Sequence, residues 1–328
     1  MKKSIILIFL LFTFGKVKAQ DPIFTQYFMM PETINSSFAG AKEGAKAGII
    51  HRTQWPGIDF SINTQYAYVD NWFEEINSGL GISILNHKES TTRYNFTQVN
   101  LNYSLKVQIN DDWYFRPSLS FGYGSKDFGF QDLLLGDQID INNGIIYSTS
   151  IDPLLLNEKI NFFDISTSML FNNEKSWIGI TLKHLNRPNI SMAYNGNNQI
   201  DMFLSVHSSI EIPLNTLYGR FDNEDSIYLL TNFMKQGEYN RIDFGPQYVN
   251  GNFSVGLLAA TNPIRRNPNS HFLTSINAYA GFKYEGFKFG YSYDFNTSKI
   301  GKTGGVYEIS ISYEFDKSDR CWGCPNYY

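Results

Sequence analysis

Apolar and polar residues alternate along most of the chain. In the stretches Phe287–Asn296 and Val306–Phe315, aromatic and aliphatic residues hold every second position, and the positions between them are mainly Lys, Gly, Ser, Asp and Glu. The same alternation recurs in Phe60–Tyr68, Val99–Lys106, Met202–Glu211 and Arg241–Tyr248. A period of two predicts β-strands whose two faces meet different surroundings.

Fourteen strands are predicted from this pattern. Their approximate ranges are 45–55, 60–69, 78–86, 94–107, 112–124, 162–171, 176–185, 201–212, 226–235, 239–249, 252–260, 272–284, 287–296 and 306–315. Most are near the roughly 9–11 residues that a tilted membrane-spanning strand needs. An even number suits closure into a barrel, although a β-sandwich would show the same alternation.

The connections favour a barrel over a sandwich. Links on the side of the chain termini are short, around Asn110-Asp111, Asn172 to Lys175, Asn250-Gly251 and Glu285-Gly286. Most opposite links are longer: about 30 residues after Gly129, and the loops that begin at Asn186 and Asn262. The links Asp70–Asn77 and Leu214–Asp225 break the rule, and misplaced strand ends are the simpler explanation than periplasmic elaborations. The prediction is therefore an all-β fold, a transmembrane antiparallel β-barrel over residues 45–315 with short periplasmic turns and longer extracellular loops.

Composition supports a membrane barrel and excludes other classes. Aromatic residues make up 16% of the chain, with 21 Tyr and 27 Phe, although the mean hydropathy is −0.27. Outer-membrane barrels combine aromatic girdles with a polar interior in this way. No interior run of eighteen apolar residues exists, which excludes helical spans. The net charge of −4 gives no broad basic surface, so nucleic acid is not an expected partner.

Both ends of the chain lie outside the predicted barrel. Residues 1–19 combine two lysines, an apolar core and a Val17-Lys18-Ala19 ending, which predicts a signal peptide cleaved before Gln20. No cysteine follows the cleavage point, so a lipid anchor is not expected. Residues 20–44 are predicted to be an N-terminal periplasmic segment, and residues 316–328 a periplasmic tail.

Several short motifs resemble those of a known protein family. They are "QDPIFTQYFMMPETINSSFAG" from Gln20, "HRTQWPGI" from His51, "WIGITLKHLNRPNISMAYN" from Trp177 and "GYSYDFNTSKIGKTGGVYEISISYEF" from Gly290. Together they resemble the PorP/SprF family of type IX secretion outer-membrane proteins over nearly the whole mature chain. The sequence departs from the family pattern at Ser36-Ser37 and at Val306-Tyr307, as a divergent member would.

The resemblance implies a specific task. It points to the outer membrane of a Bacteroidota-type bacterium, and to export or surface attachment of a large adhesin or gliding protein with a type IX C-terminal signal. Translocon or periplasmic ring subunits of the same system are implied as further partners. From the residues alone, a small-solute porin-like channel remains the alternative, because its physical features would be almost the same.

The two cysteines, Cys321 and Cys324, lie in the tail. A single Cys-x-x-Cys supplies only two metal ligands, which argues against zinc. In an exported protein, a local disulfide is favoured, or paired thiols that fix the tail to a periplasmic partner. A redox-active motif would need the start of a thioredoxin-like helix, which the sequence does not indicate.

Catalytic, metal and cofactor sites are not predicted. The histidines are scattered at positions 51, 87, 184, 207 and 271. His207 shares a strand face with Ser205, Ser209 and Glu211, but these are ordinary residues of a polar lumen, so they are interpreted as structural. No loop has the alternating oxygen ligands of an EF-hand.

Charges and loops supply the remaining candidates. The alternation directs nine charged residues inward, where they need partners or water: Lys106, Glu211, Arg241, Asp243, Lys283, Lys288, Asp294, Glu308 and Glu314. The leucine-rich stretch 130–159 is expected to enter the mouth, dock on a partner or cap the rim. Partner contacts are suggested for Arg187, Pro188, Arg265 and Arg266 in outward loops and for Trp322 in the tail, although solvated loop charge is the better explanation for each loop residue.

Overall fold

The computed structural model describes residues 20–128, 138–140, 143–147, 159–192, 196–214, 225–264, 271–297, 303–315, 321 and 323–327. The predicted signal peptide and most of the leucine-rich loop lie outside these ranges. So do three of the suggested contact residues, Arg265, Arg266 and Trp322.

The described residues are mostly strand. The strands are β1 Lys46–Gln54, β2 Ile62–Phe73, β3 Ser78–Glu89, β4 Asn95–Leu105, β5 Val107–Gln108, β6 Tyr114–Asp127, β7 Ile139–Asp140, β8 Ile145–Ile146, β9 Lys159–Asn172, β10 Ser176–Lys183, β11 Phe203–Pro213, β12 Asp225–Gln236, β13 Tyr239–Asn250, β14 Phe253–Thr261, β15 Leu273–Tyr284, β16 Phe287–Asn296 and β17 Val306–Glu314. Three short 3₁₀ helices span Pro31–Thr33, Ser36–Phe38 and Glu74–Ile76. Among the described residues, no helix is long and apolar enough to cross a membrane.

The sheet closes on itself into a 14-strand antiparallel barrel, which confirms the predicted fold. The first strand pairs with the last, with Lys46 opposite Glu314, and each other barrel strand pairs with its neighbours along the chain. The short strands β5, β7 and β8 are not among the fourteen strands of the barrel wall. Of these, β5 runs beside β6, and β7 and β8 form a separate hairpin.

Alternating burial follows the two faces of the strands. In β16 and β17, Tyr291 and Ile309 are 45% and 61% exposed on the outer face, while Ser292 and Glu308 are fully buried inside. In β2 the faces are the reverse of what polarity suggests, because Tyr66 and Tyr68 point into the lumen and Gln65 points out. Phe24 packs against the Tyr66 ring, so the lumen is locally apolar at this point.

The barrel has one end with mostly short turns and one with mostly longer loops. The end at which β1 begins and β17 ends carries the short turns, and is the periplasmic end in barrels of this kind. The Asp70–Asn77 link shrinks to Glu74–Asn77 because β2 continues to Phe73, as the boundary explanation required. The link after Pro213 stays long because β12 begins only at Asp225, so that explanation is wrong there.

Residues 20–44, named the lumen segment from here on, lie inside the barrel rather than in the periplasm as the sequence suggested. Asp21 bonds to Gln236 at the loop end of β12, and Glu43 pairs with Lys106 just beyond the periplasmic end of β4. Between these points the segment buries a row of large side chains, Phe24, Tyr27, Phe28, Met29, Met30, Ile34 and Phe38. These apolar groups account for the placement, since a free periplasmic segment would expose them to water.

Candidate functional site

The lumen segment is bonded to the last two strands near its start. The backbone N–H groups of Thr25 and Gln26 donate to the two carboxylate oxygens of Glu308 at 2.9 Å and 3.1 Å. The Gln26 side-chain amide donates to the Glu308 carbonyl at 3.1 Å and accepts from the Ser310 hydroxyl at 2.6 Å. All four residues are buried, so these hydrogen bonds are shielded from competition by water.

A second attachment lies at the turn around Asn35. Its side-chain oxygen accepts from the Ser37 N–H at 2.8 Å and caps the Ser36–Phe38 helix. Its amide donates to Nε2 of His207 at 3.0 Å, and Nδ1 of the same ring bonds to Ser205 at 2.9 Å. His207 thus has both ring nitrogens occupied by structural bonds.

Close backbone contact fixes the next turn. The Gly40 N–H donates to Asp70 at 2.8 Å, and Gly40 has a φ of 66°, which favours glycine. A Cβ on Gly79 of β3 would lie 2.0 Å from the Ala39 carbonyl oxygen. Glycine at position 79 therefore lets the lumen segment touch the barrel wall.

Most of the inward charges form ion pairs. Within the wall, Arg241 pairs with Asp243 at 2.6 Å, Lys288 with Glu314 at 2.9 Å and Arg52 with Glu308 at 3.3 Å. The wall also pairs with the lumen segment, through Lys46 with Glu32 at 2.8 Å and Lys106 with Glu43. Because removing one partner would leave a buried charge uncompensated, these pairs tie the segment to the barrel.

A buried histidine holds the outer end of the lumen segment. His184, just after β10, bonds through Nδ1 to Asp164 at 2.9 Å and through Nε2 to Asp21 at 2.9 Å. Burial alone lowers the pKa of His184, but the Asp21 charge and the bonds to both carboxylates raise it to about 10. Burial raises the pKa of Asp21, yet His184 brings it down to about 2. The Asp21–His184 pair is thus charged at neutral pH.

A wide cavity, named the vestibule, opens above this point at the loop end. It has a volume of about 850 Å³, and the first residues of the lumen segment, Gln20 to Ile23, form part of its lining. The wall contributes charged, aromatic and imidazole groups, including Arg52, Trp55, Tyr239, Arg241 and His271. In the described part of the chain, Arg241 Nη2 has no hydrogen-bond partner.

The tail enters the opposite, periplasmic mouth. Asn172 donates to the Gly323 carbonyl at 2.8 Å, and the Asn326 side chain donates to Tyr228 at 2.8 Å and to Glu211 at 3.0 Å. Tyr327 is only 3% exposed. A disulfide joins Cys321 and Cys324, which lie on either side of Gly323 and before Asn326 and Tyr327.

Tyr327 occupies a cage of lysines and one phenylalanine, named the lysine cage. The ammonium groups of Lys42 and Lys46 each lie 4.5 Å from its ring centroid, and that of Lys288 lies 5.3 Å away. The Phe38 ring packs edge-on at 5.3 Å. Burial and the neighbouring Lys288 lower the pKa of Lys42 to about 7. Lys42 and Phe38 belong to the lumen segment, so the tail also contacts that segment.

Of the contact residues suggested by the sequence, the structure describes Arg187 and Pro188. Arg187 is exposed and pairs with Asp201 at 3.5 Å. Pro188 is buried, and its carbonyl accepts from the Ile200 N–H at 3.1 Å. Asp21, Asp164 and Tyr327 were not predicted as site residues. The available signal was the cluster of large apolar residues within Ile23–Met30.

The closed sheet, the lipid-facing aromatic rows and the filled lumen define an outer-membrane β-barrel. A family model described as "Type IX secretion system membrane protein PorP/SprF" matches residues 16–313. The chain belongs to this family and is an outer-membrane component of type IX secretion.

Comparison with other proteins adds the fold alone. No curated protein matches the chain. The toluene transporter TodX of P. putida is similar in structure, with a TM-score of 0.50 and 8% identity over 88% of this chain and 94% of that one. The outer membrane protein Omp33 of Acinetobacter baumannii has a TM-score of 0.43 and 7% identity over 84% of this chain and 100% of that one.

Proposed function

We propose that the barrel binds a large secreted protein of the adhesin or gliding type, which carries a type IX C-terminal signal, and assists its export or surface attachment. Membership of the PorP/SprF family identifies the pathway as type IX secretion. The observation that carries the proposal is the filled lumen: the segment from Asp21 to Glu43 runs from one mouth to the other and is bonded to the wall along its length.

The filled lumen argues against the porin-like alternative. A solute channel needs a continuous wet path through the barrel. Here Tyr27, Phe28, Met30 and Phe38 are each at most 2% exposed within the lumen. Protein contacts at the two mouths suit this architecture better than solute passage.

The vestibule is the proposed contact surface for the cargo. Its lining combines aromatic side chains and arginines, the residue types enriched in protein interfaces. The outward-loop residues Arg187, Pro188, Arg265 and Arg266 are proposed as rim contacts. Trp322, in the tail, is proposed to contact periplasmic or translocon subunits.

The role is proposed to be non-enzymatic. The two most buried histidines, His184 and His207, have both ring nitrogens engaged in structural bonds. A general base needs a free nitrogen directed at a substrate, which neither ring offers in this arrangement.

Gene deletion with proteomics of the cell surface and culture fluid tests the proposal. Loss of one large cargo from the surface, with outer-membrane permeability unchanged, is expected. Complementation should succeed with Tyr284→Ala, a change on the exposed outer face, and fail with the vestibule double variant Tyr239→Ala/His271→Ala. Unaltered secretion in the deletion strain would contradict the proposal.

A further inference from the structure

The Cys321–Cys324 disulfide lies at the open periplasmic end. Both cysteines are partly exposed. A cleft of about 290 Å³ adjoins their ring, lined by Gly323 and by the periplasmic turns at Asp111–Tyr114 and Asn173–Lys175. The partly exposed cysteines and the adjoining cleft thus lie at the end of the barrel from which a periplasmic partner protein would approach.

An ion pair lies beside the disulfide. A carboxylate oxygen of Glu43 and both sulfurs lie within 4.8 Å of one another, and Lys106 pairs with Glu43. The Glu43 carboxylate alone would disfavour a thiolate beside it, and its pairing with the Lys106 ammonium offsets that charge.

Gly323, inside the disulfide ring, contacts the barrel wall directly. Gly323 lies inside the ring at a φ of 69°, and its carbonyl accepts the bond from buried Asn172. A Cβ on Gly323 would lie 1.8 Å from the Tyr114 ring, so the ring backbone packs directly on the wall. Opening the ring frees this backbone at the point where it is held.

The anchors that follow the ring join the tail to the lumen segment. Asn326 bonds to Glu211 and Tyr228 of the wall, and Tyr327 fills the lysine cage against Phe38. The stabilisation that a disulfide gives through loop closure grows with loop length and is least for so short a ring. Global stabilisation is therefore a poor explanation for this disulfide, and local control of docking is a better one.

We propose that Cys321–Cys324 is a thiol–disulfide exchange site for a periplasmic protein with a reduced dithiol, and that its reduction releases the tail from the mouth. A thiolate of the partner attacks one sulfur, and the S–S bond of this chain breaks as a mixed disulfide forms. The partner's second thiol, as thiolate, then displaces the cysteine. Two electrons and two protons pass to this chain, which ends with two thiols, and the partner ends with a disulfide. This inference does not depend on the identity of the cargo.

The test uses the full folded chain in detergent micelles and reduced thioredoxin as the dithiol probe. Thiols are counted by the mass gain from maleimide, while gel mobility without heating monitors the barrel. We expect two thiols per chain with the barrel still folded, and amide hydrogen exchange at residues 323–327 about tenfold faster. A disulfide that resists thioredoxin until the barrel unfolds, or opens without any change in exchange, would overturn the proposal.

Variants distinguish the effect of the disulfide on the tail from the effect of the Tyr327 side chain. Tyr327→Ala should release the tail with the disulfide intact, and Cys321→Ser/Cys324→Ser should give the same exchange pattern without any reductant. Tyr284→Ala makes the same tyrosine change at the same end of the barrel but on the outer face, and should leave exchange in the tail unchanged. Wild-type exchange in the double serine variant would also overturn the proposal.

Discussion

Gln26 and Glu308 are joined by two hydrogen bonds across 282 positions of sequence. The Gln26 backbone N–H donates to the Glu308 carboxylate at 3.1 Å, and its side-chain amide donates to the Glu308 carbonyl, also at 3.1 Å. Glu308 lies on β17, the strand that closes the barrel against β1. The lumen segment is therefore attached to the closing strand, and filling of the lumen is linked to closure of the sheet.

Substitution of Glu308 should loosen this attachment. Glu308→Ala removes the acceptor for Thr25 and Gln26 and leaves Arg52 without its buried partner. A loss of about 3–5 kcal/mol in the free energy of unfolding is expected. Urea titration of the folded barrel measures it, and Glu285→Ala in an exposed turn is the control. Equal stability of the two variants would contradict the assignment.

A charge on the outer face should impair membrane assembly. Ile309→Arg places a guanidinium in lipid at a cost of about 2–4 kcal/mol near the midplane. Ser275→Arg at the vestibule should be tolerated. Ser292→Arg and Ser310→Arg, which alternation alone marks as harmless, should fail because both serines bond to Gln26. Folding yield into lipid vesicles distinguishes these outcomes.

The attachment of the lumen segment to His184, at the loop end of the barrel, should depend on pH. The pKa of His184 is raised from 6.5 to about 10, so its contribution is fully present below 6.5 and is lost as the pH rises towards 10. The pKa of Asp21 is lowered from 3.8 to about 2, so its contribution is present above 3.8 and is lost as the pH falls towards 2. The protection factors of residues 21–25 against hydrogen exchange, which correct for the intrinsic effect of pH on the exchange rate, should be highest between pH 3.8 and 6.5. His184→Gln should remove the alkaline limb, and an unchanged profile would refute the pairing.

Close packing at Gly79 should not tolerate a methyl group. Gly79→Ala would place its Cβ against the Ala39 backbone, which cannot move without shifting the lumen segment. A cost of about 1–3 kcal/mol is expected for such overpacking. Gly256→Ala is the matched change, because its Cβ would lie 3.2 Å from the nearest atom. Thermal unfolding of the two variants gives the comparison.

The alternation of apolar and polar residues made the barrel predictable, but not the segment that fills its lumen. The fourteen predicted strands correspond to the fourteen of the barrel, and Tyr291 and Ile309 lie on the outer face as the period of two requires. Periodicity gives no position for a segment that is not a strand, so residues 20–44 could not be placed. Tyr66 and Tyr68 face inward because the lumen segment covers them, which the strand alone does not reveal. The ring of His184 meets Asp21 163 positions away, beyond any local pattern.

Conductance of the purified protein in a planar lipid bilayer, without cargo, tests the filled lumen most directly. The intact chain is predicted to show no stable ion current, because the lumen segment blocks the path. A variant lacking residues 20–44 is predicted to conduct. Stable currents of equal size from both proteins would contradict the account and favour a solute channel.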